Sequence, residues 1–543
     1  MKRFAALLLA TFAAPTLAQV APAPRPAAPV AKPRLIVAIS VDQLSADLFA
    51  QYRSRWTRGF ARLLNGQVFP SAYQGHAATE TCPGHSTILT GVHPARSGII
   101  ANQWIDQSVA RADKTVYCAE DPTVPGSTSA NYTASDKHLR VPTLGERMKQ
   151  ADPATRVVAV AGKDRAAIMM GGHQIDELWW WKDKDFVSYA GRTAPPVVTR
   201  TRAAVAALLA QPQAALPLPG WCAGDDRPVQ AGAITLGQGR FQRAAGDARA
   251  FRASPASDAA VLGLAAGLIQ DMKLGRGAQT DLIAIGLSAT DYVGHSFGTG
   301  GTEMCIQLDQ LDQALGSFLD ALDGWNIDYQ VVLTADHGAH DVTERHQQRA
   351  MPMASRLTPA VSISAIGKEI GAKLGLTGPV LLAADNDIHI PRTLPAATRA
   401  RVQAEVVARL RAQRQVAAVL TRAEIAATPL PTGLPENWTL AERARASYDS
   451  QRSGDLLVLF NPRVTPIPTP APGYVETHGS PWDYDRRVPL VFWRKGTAGF
   501  EQPLSVQTVD IAPTLAALLR LPMPDVDGRC LDLDGGAGDS CRP

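Results

Sequence analysis

Short apolar runs that stop abruptly at a polar side chain limit the fold of this chain more than any other feature of its sequence. Leu35 to Val41 ends at Asp42, and Val157 to Ala161 ends at Gly162 and Lys163. Both runs are too rich in Val, Ile and Leu to be half-solvated, so they read as parallel strands buried on both faces. Leu282 to Leu287 precedes Asp291, Val331 to Leu333 precedes Asp336 and His337, and Leu456 to Phe460 and Leu490 to Trp493 look similar. Between them Met304, Leu308, Leu311, Leu315, Phe318 and Leu322 recur at steps of three and four, which lays one apolar helical stripe on a sheet. The alternation predicts an α/β fold with a central, mostly parallel sheet flanked by helices. Ligands in such folds sit beyond the carboxyl ends of the strands. Asp42, Lys163, Asp291 and Asp336 all follow strands on that side, so one sheet edge should gather them. Two long stretches, about 172–255 and 345–450, dilute the pattern with Ala, Pro and Arg. They read as insertions or cap elements on a single domain of residues 34–543.

The remaining composition narrows the class. With 45% hydrophobic residues the 543-residue chain can bury a large core, and 40 Pro and 44 Gly without a repeating period exclude collagen and coiled coil. Residues 1–18 carry a basic start, an apolar run from Phe4 to Ala14 and small side chains at Thr16 and Ala18, the parts of a secretory signal cleaved before Gln19. That run is shorter than the roughly 20 residues a bilayer span needs. A Pro/Ala tether, 19–33, follows. The formal net charge is +4, and loss of Lys2 and Arg3 with the leader leaves about +2, too little for a charge-driven nucleic-acid binder. The expected product is periplasmic or secreted, without stable membrane insertion after cleavage. Its oligomeric state is not fixed by the sequence, and a monomer is compatible with it. Six cysteines, Cys82, Cys118, Cys222, Cys305, Cys530 and Cys541, permit disulfides in that compartment. Cys530 could pair with Cys541 and Cys118 with Cys222, among about fifteen full pairings.

The polar residues at the strand ends have the chemistry of a metal site. Asp291 and His295, four apart, can aim a carboxylate and an imidazole at one cation from a turn or a first helical turn. Asp336 and His337 offer two more ligands at a strand end, where Gly338 lets the backbone turn away, and His478 is a third imidazole. Carboxylate and imidazole without thiolate suit zinc, with manganese or iron as competitors. Each piece alone has a plainer use. Asp-His-Gly is a common turn, Asp291 alone a helix cap, and Asp42 alone a turn acceptor. Four strand ends with ligand-type side chains are harder to attribute to independent turns. Thr81 stands just ahead of a helix with Pro83 in its first turn, where free N–H groups would attract an anion; it is either an N-cap or a nucleophile. Lys163 and Arg165 can point two cations at one anion, or be solvated charge. Asn102 can donate to an oxyanion, or make an Asx turn. The trio Trp179, Trp180 and Trp181 either lines an entrance or packs an insertion.

Taken in order, from IVAISVDQ to THGSPWDYDRRVPLVFW, these motifs resemble the alkaline phosphatase superfamily, and most closely its PafA-type phosphate-irrepressible alkaline phosphatases. The resemblance implies two zinc ions, one held by Asp42, Thr81, Asp336 and His337 and the other by Asp291, His295 and His478. It makes Thr81 the nucleophile that forms a phosphothreonine, and Asn102, Lys163 and Arg165 the group that binds the phosphate of small-molecule monoesters. The related phosphodiesterases and nucleotide pyrophosphatases share the ligands, the Thr and the Asn but differ at GKDR, which makes diester hydrolysis the main alternative. A non-catalytic metal- or phosphate-binding protein is a second, and it would need no nucleophile. Sulfatases begin C/S-x-P-x-R, which Cys82-Pro83-Gly84-His85 does not match.

Overall fold

The central sheet is built on the buried runs, whose side chains exclude water from both faces. The computed structural model describes residues 31–536 and 538–542. The expected leader, 1–18, and residues 19–30 of the expected tether lie outside the described residues. Lys32–Pro543 forms one compact unit. Its main sheet has ten strands. Leu35–Val41 is entirely buried at the centre, parallel to Asp281–Leu287 on one side and to Tyr329–Thr334 on the other. Val157–Ala161 pairs parallel with Asp281–Leu287, and Glu177–Lys182 extends the parallel run.

Register decides where the loops emerge. Val41 stands opposite Leu287, Ser40 opposite Thr334, and Gly286 opposite Ala161, so the strands end level. Asp42, Lys163, Asp291 and Asp336 therefore leave the sheet along one edge. The helix Thr302–Gly324 buries Met304, Leu308, Leu311, Leu315, Phe318 and Leu322 in the core, as the sequence spacing predicts.

Two of the apolar runs differ from their expected setting. Leu490–Trp493 lies in Arg487–Arg494, which is antiparallel to both Tyr329–Thr334 and Gln67–Tyr73. Leu456–Phe460 belongs to a separate four-stranded sheet and pairs antiparallel with Asp387–His389 and Val416–Thr421. Burial of a strand says nothing about the direction of its partner, which the connections set. The three tryptophans lie within the strand Glu177–Lys182 and are at most 5% exposed, so they pack the core rather than line an entrance.

The cysteines pair as Cys82–Cys118, Cys222–Cys305 and Cys530–Cys541. The expected Cys530–Cys541 loop is present. The expected Cys118–Cys222 pair is not, because the hairpin carrying Cys118 folds against the helix of Cys82. Among the described residues no helix is long and apolar enough to cross a membrane.

Candidate active site

Three histidines arrive at the sheet edge with one ring nitrogen already committed. His295 Nδ1 lies 2.8 Å from the Glu476 carbonyl, His478 Nδ1 2.8 Å from the Thr79 carbonyl, and His337 Nδ1 2.9 Å from the Gly338 carbonyl. A carbonyl only accepts, so each Nδ1 carries the proton and each Nε2 faces the site. Those Nε2 atoms meet carboxylates. His337 is 3.4 Å from Asp42 Oδ1 and 3.2 Å from Asp336 Oδ2; His295 and His478 are 3.3 and 3.4 Å from Asp291 Oδ1. The rings of His337 and His478 stack with centroids 3.5 Å apart. Asp42, Asp336 and His337 form one group of donor atoms, and Asp291, His337 and His478 a second that shares His337.

These contacts leave fully buried polar atoms without hydrogen-bond partners: Asp42 Oδ1, Asp291 Oδ1, Asp336 Oδ2 and His337 Nε2. Burying such atoms is expensive unless a cation lies among them. Carboxylate oxygen and imidazole nitrogen, with no thiolate, fit a divalent ion such as zinc.

Lys163 binds the two groups together. Its ammonium is 2.6 Å from Asp42 Oδ2 and 2.5 Å from Asp291 Oδ2, so each aspartate turns one oxygen to the lysine and the other to imidazole. Burial works to neutralise Lys163, yet Asp291 and Asp42 hold it above the ordinary lysine range. Burial and the charge of Asp336 push Asp42 up to about 7. Burial also acts to raise Asp291, but His295 and Lys163 hold it well below the usual carboxylate range. Burial drives His478 down to about 3, with His337 adding repulsion, which keeps it neutral. For His337 burial is outweighed by Asp336, which holds the ring at about 9.

Thr81 opens the helix Thr81–Thr90 and is not its cap: Glu80 occupies the cap position. The Thr81 hydroxyl is instead reached by Lys163 Nζ at 3.4 Å and Arg165 Nη2 at 3.5 Å. The helix can approach this closely because Gly84 passes over Asp336, where a Cβ would come within 2.1 Å of the Asp336 carbonyl. The free amides expected at this helix start are mostly spent. Cys82 N–H donates to Asn102 Oδ1 at 2.8 Å, Pro83 has none, and Gly84 N–H donates to the Glu80 carbonyl. The Asn102 oxygen is thereby fixed, and its NH2 is the part left for a ligand. Gly338 matters for space rather than for a left-handed turn, since a Cβ there would meet the Tyr484 carbonyl at 2.2 Å.

All ten residues singled out in the sequence thus belong to one neighbourhood at the sheet edge. His85, four residues after Thr81, joins them: its Nδ1 lies 2.8 Å from the Thr81 carbonyl and 3.2 Å from Asp336 Oδ2. The four-residue step from Thr81 on one helix was the available signal. Sequence reasoning missed Glu80, whose Oε2 accepts the Asn102 N–H at 2.6 Å, and Gln43, whose N–H donates to Asp336 Oδ1 at 3.1 Å.

Residues 36–481 match the family described as type I phosphodiesterase / nucleotide pyrophosphatase. The chain is 58% identical over 517 residues to alkaline phosphatase PhoK of a Sphingomonas species, covering 94% of this chain and 92% of that protein. It is 49% identical over 521 residues to alkaline phosphatase PhoD of Zymomonas mobilis, covering 94% and 89%. Among solved structures, wild-type alkaline phosphatase PafA matches with a TM-score of 0.81 at 26% identity, over 92% of this chain and 99% of that one.

Proposed function

Because this chain belongs to the type I phosphodiesterase / nucleotide pyrophosphatase family, on the side of its alkaline phosphatases, we propose that it is an exported, zinc-dependent phosphate monoester hydrolase working through a phosphothreonine. The observation that carries this reading is the convergence of two cations, Lys163 and Arg165, on the hydroxyl of Thr81. A monoester dianion presents more charge on its terminal oxygens than a diester does, so a second cation beside the nucleophile favours monoesters, most of all in the transition state. The expected substrates are small phosphate monoesters, with no nucleic-acid-binding role. Diester hydrolysis is the second reading, favoured by the phosphodiesterase name of the matched family, and fits here as a weaker activity.

Asp42, Asp336 and His337, with Thr81, would hold one zinc, and Asp291, His295 and His478 the other. Bound there, zinc supplies Lewis-acid stabilisation of charge on oxygen. The Thr81 oxygen attacks phosphorus as its proton passes to solvent water, the P–O bond to the leaving group breaks, and the departing oxygen takes a proton from water to leave as the alcohol. Water then attacks the phosphothreonine, releasing inorganic phosphate and restoring the hydroxyl. Through both steps Lys163, Arg165 and the Asn102 NH2 hold the non-bridging oxygens. The fixed Nδ1 bonds of the three histidines keep each Nε2 aimed inward without reorganisation. The three disulfides support an exported location.

Elemental analysis combined with turnover of matched aryl phosphate monoesters, bis-aryl diesters and aryl sulfates tests this reading. Two zinc per chain and a clear monoester preference are expected. Diester turnover at least as efficient contradicts it.

A further inference from the structure

Tyr117 ends the short strand Thr115–Tyr117, and its hydroxyl touches the residues on either side of one peptide bond. It lies 2.9 Å from Asp164 Oδ1 and 3.4 Å from Arg165 Nη1. A carboxylate only accepts, so the phenol proton goes to Asp164 and the phenol oxygen is left to accept from the guanidinium. The other Asp164 oxygen accepts from Tyr132 at 2.6 Å, and the two tyrosine rings pack with centroids 4.5 Å apart. Asp164 therefore gives an oxygen to each of two phenols instead of pairing with the cations beside it in the chain. That choice has an electrostatic consequence. A carboxylate fork on Arg165 would compete for the N–H groups that match phosphate oxygens. A neutral phenol fixes one edge of the guanidinium and leaves its charge available, while Nη2 remains 3.5 Å from the Thr81 hydroxyl.

The hairpin that carries Tyr117 is fastened to the helix that carries Thr81. Cys118 and Cys82, the residues following each, form a disulfide. Cys82 N–H donates to Asn102 Oδ1, and Cys118 N–H donates to the Asn102 carbonyl at 2.9 Å. Tyr117, Asn102 and Thr81 are thus held in one covalent and hydrogen-bonded bracket.

The geometry points to Tyr117 as a positioning residue that holds Arg165 in register with Thr81 for the doubly charged end of a monoester. The inference rests on Arg165 binding phosphate, as proposed above. Tyr117 itself contacts no reacting atom.

A double-mutant cycle of Tyr117→Phe and Arg165→Ala tests it, read with an aryl phosphate monoester, a bis-aryl diester and inhibition by inorganic phosphate. Tyr117→Phe keeps the ring and both cysteines. Its monoester kcat/KM should fall about tenfold, the size expected for a hydrogen bond to a charged group, with the diester changed less than about threefold. Phosphate inhibition should weaken in parallel, and the loss should vanish when Arg165 is already Ala. Tyr132→Phe, which spares the Arg165 contact, should have the smaller effect. Equal losses on both substrates, a loss undiminished in the Arg165→Ala background, or an equal loss in Tyr132→Phe overturns the role. If Arg165→Ala itself leaves the monoester-to-diester ratio unchanged, the phosphate-binding reading fails, and with it the basis for Tyr117.

Discussion

The ten-stranded and four-stranded sheets of this protein are made from similar apolar strands, yet the ligand-type groups collect at only one of them. In the larger sheet the central parallel strands end level and the loops that follow them leave by the same edge, so residues far apart in sequence meet there. In the smaller sheet neighbouring strands run antiparallel, so their loops leave at opposite ends. Asp387 and His389 repeat the Asp and His of the active edge on that smaller sheet. Asp387 Oδ1 is taken by the Gly454 N–H at 3.1 Å, and the metal-type groupings found among the described residues lie elsewhere. Topology, more than residue type, makes the site.

The sharpest way to break that comparison is to remove one oxygen at the active edge. Thr81→Ala should lower monoester turnover by at least about a thousandfold while retaining metal, as elemental analysis would show. Asp387→Ala should leave turnover within about twofold. Dialysis against a chelator should abolish activity and lower the unfolding temperature, with zinc restoring both; persistence in a demonstrably metal-free sample contradicts the site. Lys163→Ala should cost about a hundredfold, more on monoesters than on diesters, in steady-state assays of both. Leu410→Ala, in the separate core of the smaller sheet, should cost about 2–5 kcal/mol of stability in denaturant titrations without changing kcat/KM by more than about twofold.

A last effect, on the pH dependence of stability, concerns Asp258, which accepts the Ala289 N–H at the start of the helix bearing Asp291 and His295. Burial pushes its carboxyl up to about 7. The folded protein then binds that proton more tightly than the unfolded chain, so the associated stability is full below the ordinary value and lost as pH rises through 7. Asp258→Asn removes the titration, and Gln307, with Oε1 unpartnered, can turn to receive the new amide. The variant's unfolding temperature should therefore gain on the parent's as pH rises from about 4 to about 7, and level off above.

Much of this arrangement was legible in the sequence. The buried runs and the polar residues after them placed the parallel core and set Asp42, Lys163, Asp291 and Asp336 at one edge, while the other six residues were singled out by local motifs and by the family resemblance. What could not be read was whatever depends on distance in space alone. Leu490–Trp493 is as apolar as its parallel neighbours, and nothing in its composition reverses it. Cys118 is nearer Cys82 because a hairpin returns there. Tyr117 and Tyr132 lie 47 and 32 residues before Asp164, with no periodic pattern linking them to it.

Acid-quenched enzyme taken during turnover of an aryl phosphate, digested and mapped by mass spectrometry, addresses the chemistry most directly. The expected result is a phosphoryl group on Thr81, absent from Thr81→Ala. Phosphate on another residue, or rapid hydrolysis by Thr81→Ala with no labelled peptide, would contradict the assignment of that hydroxyl as the attacking group.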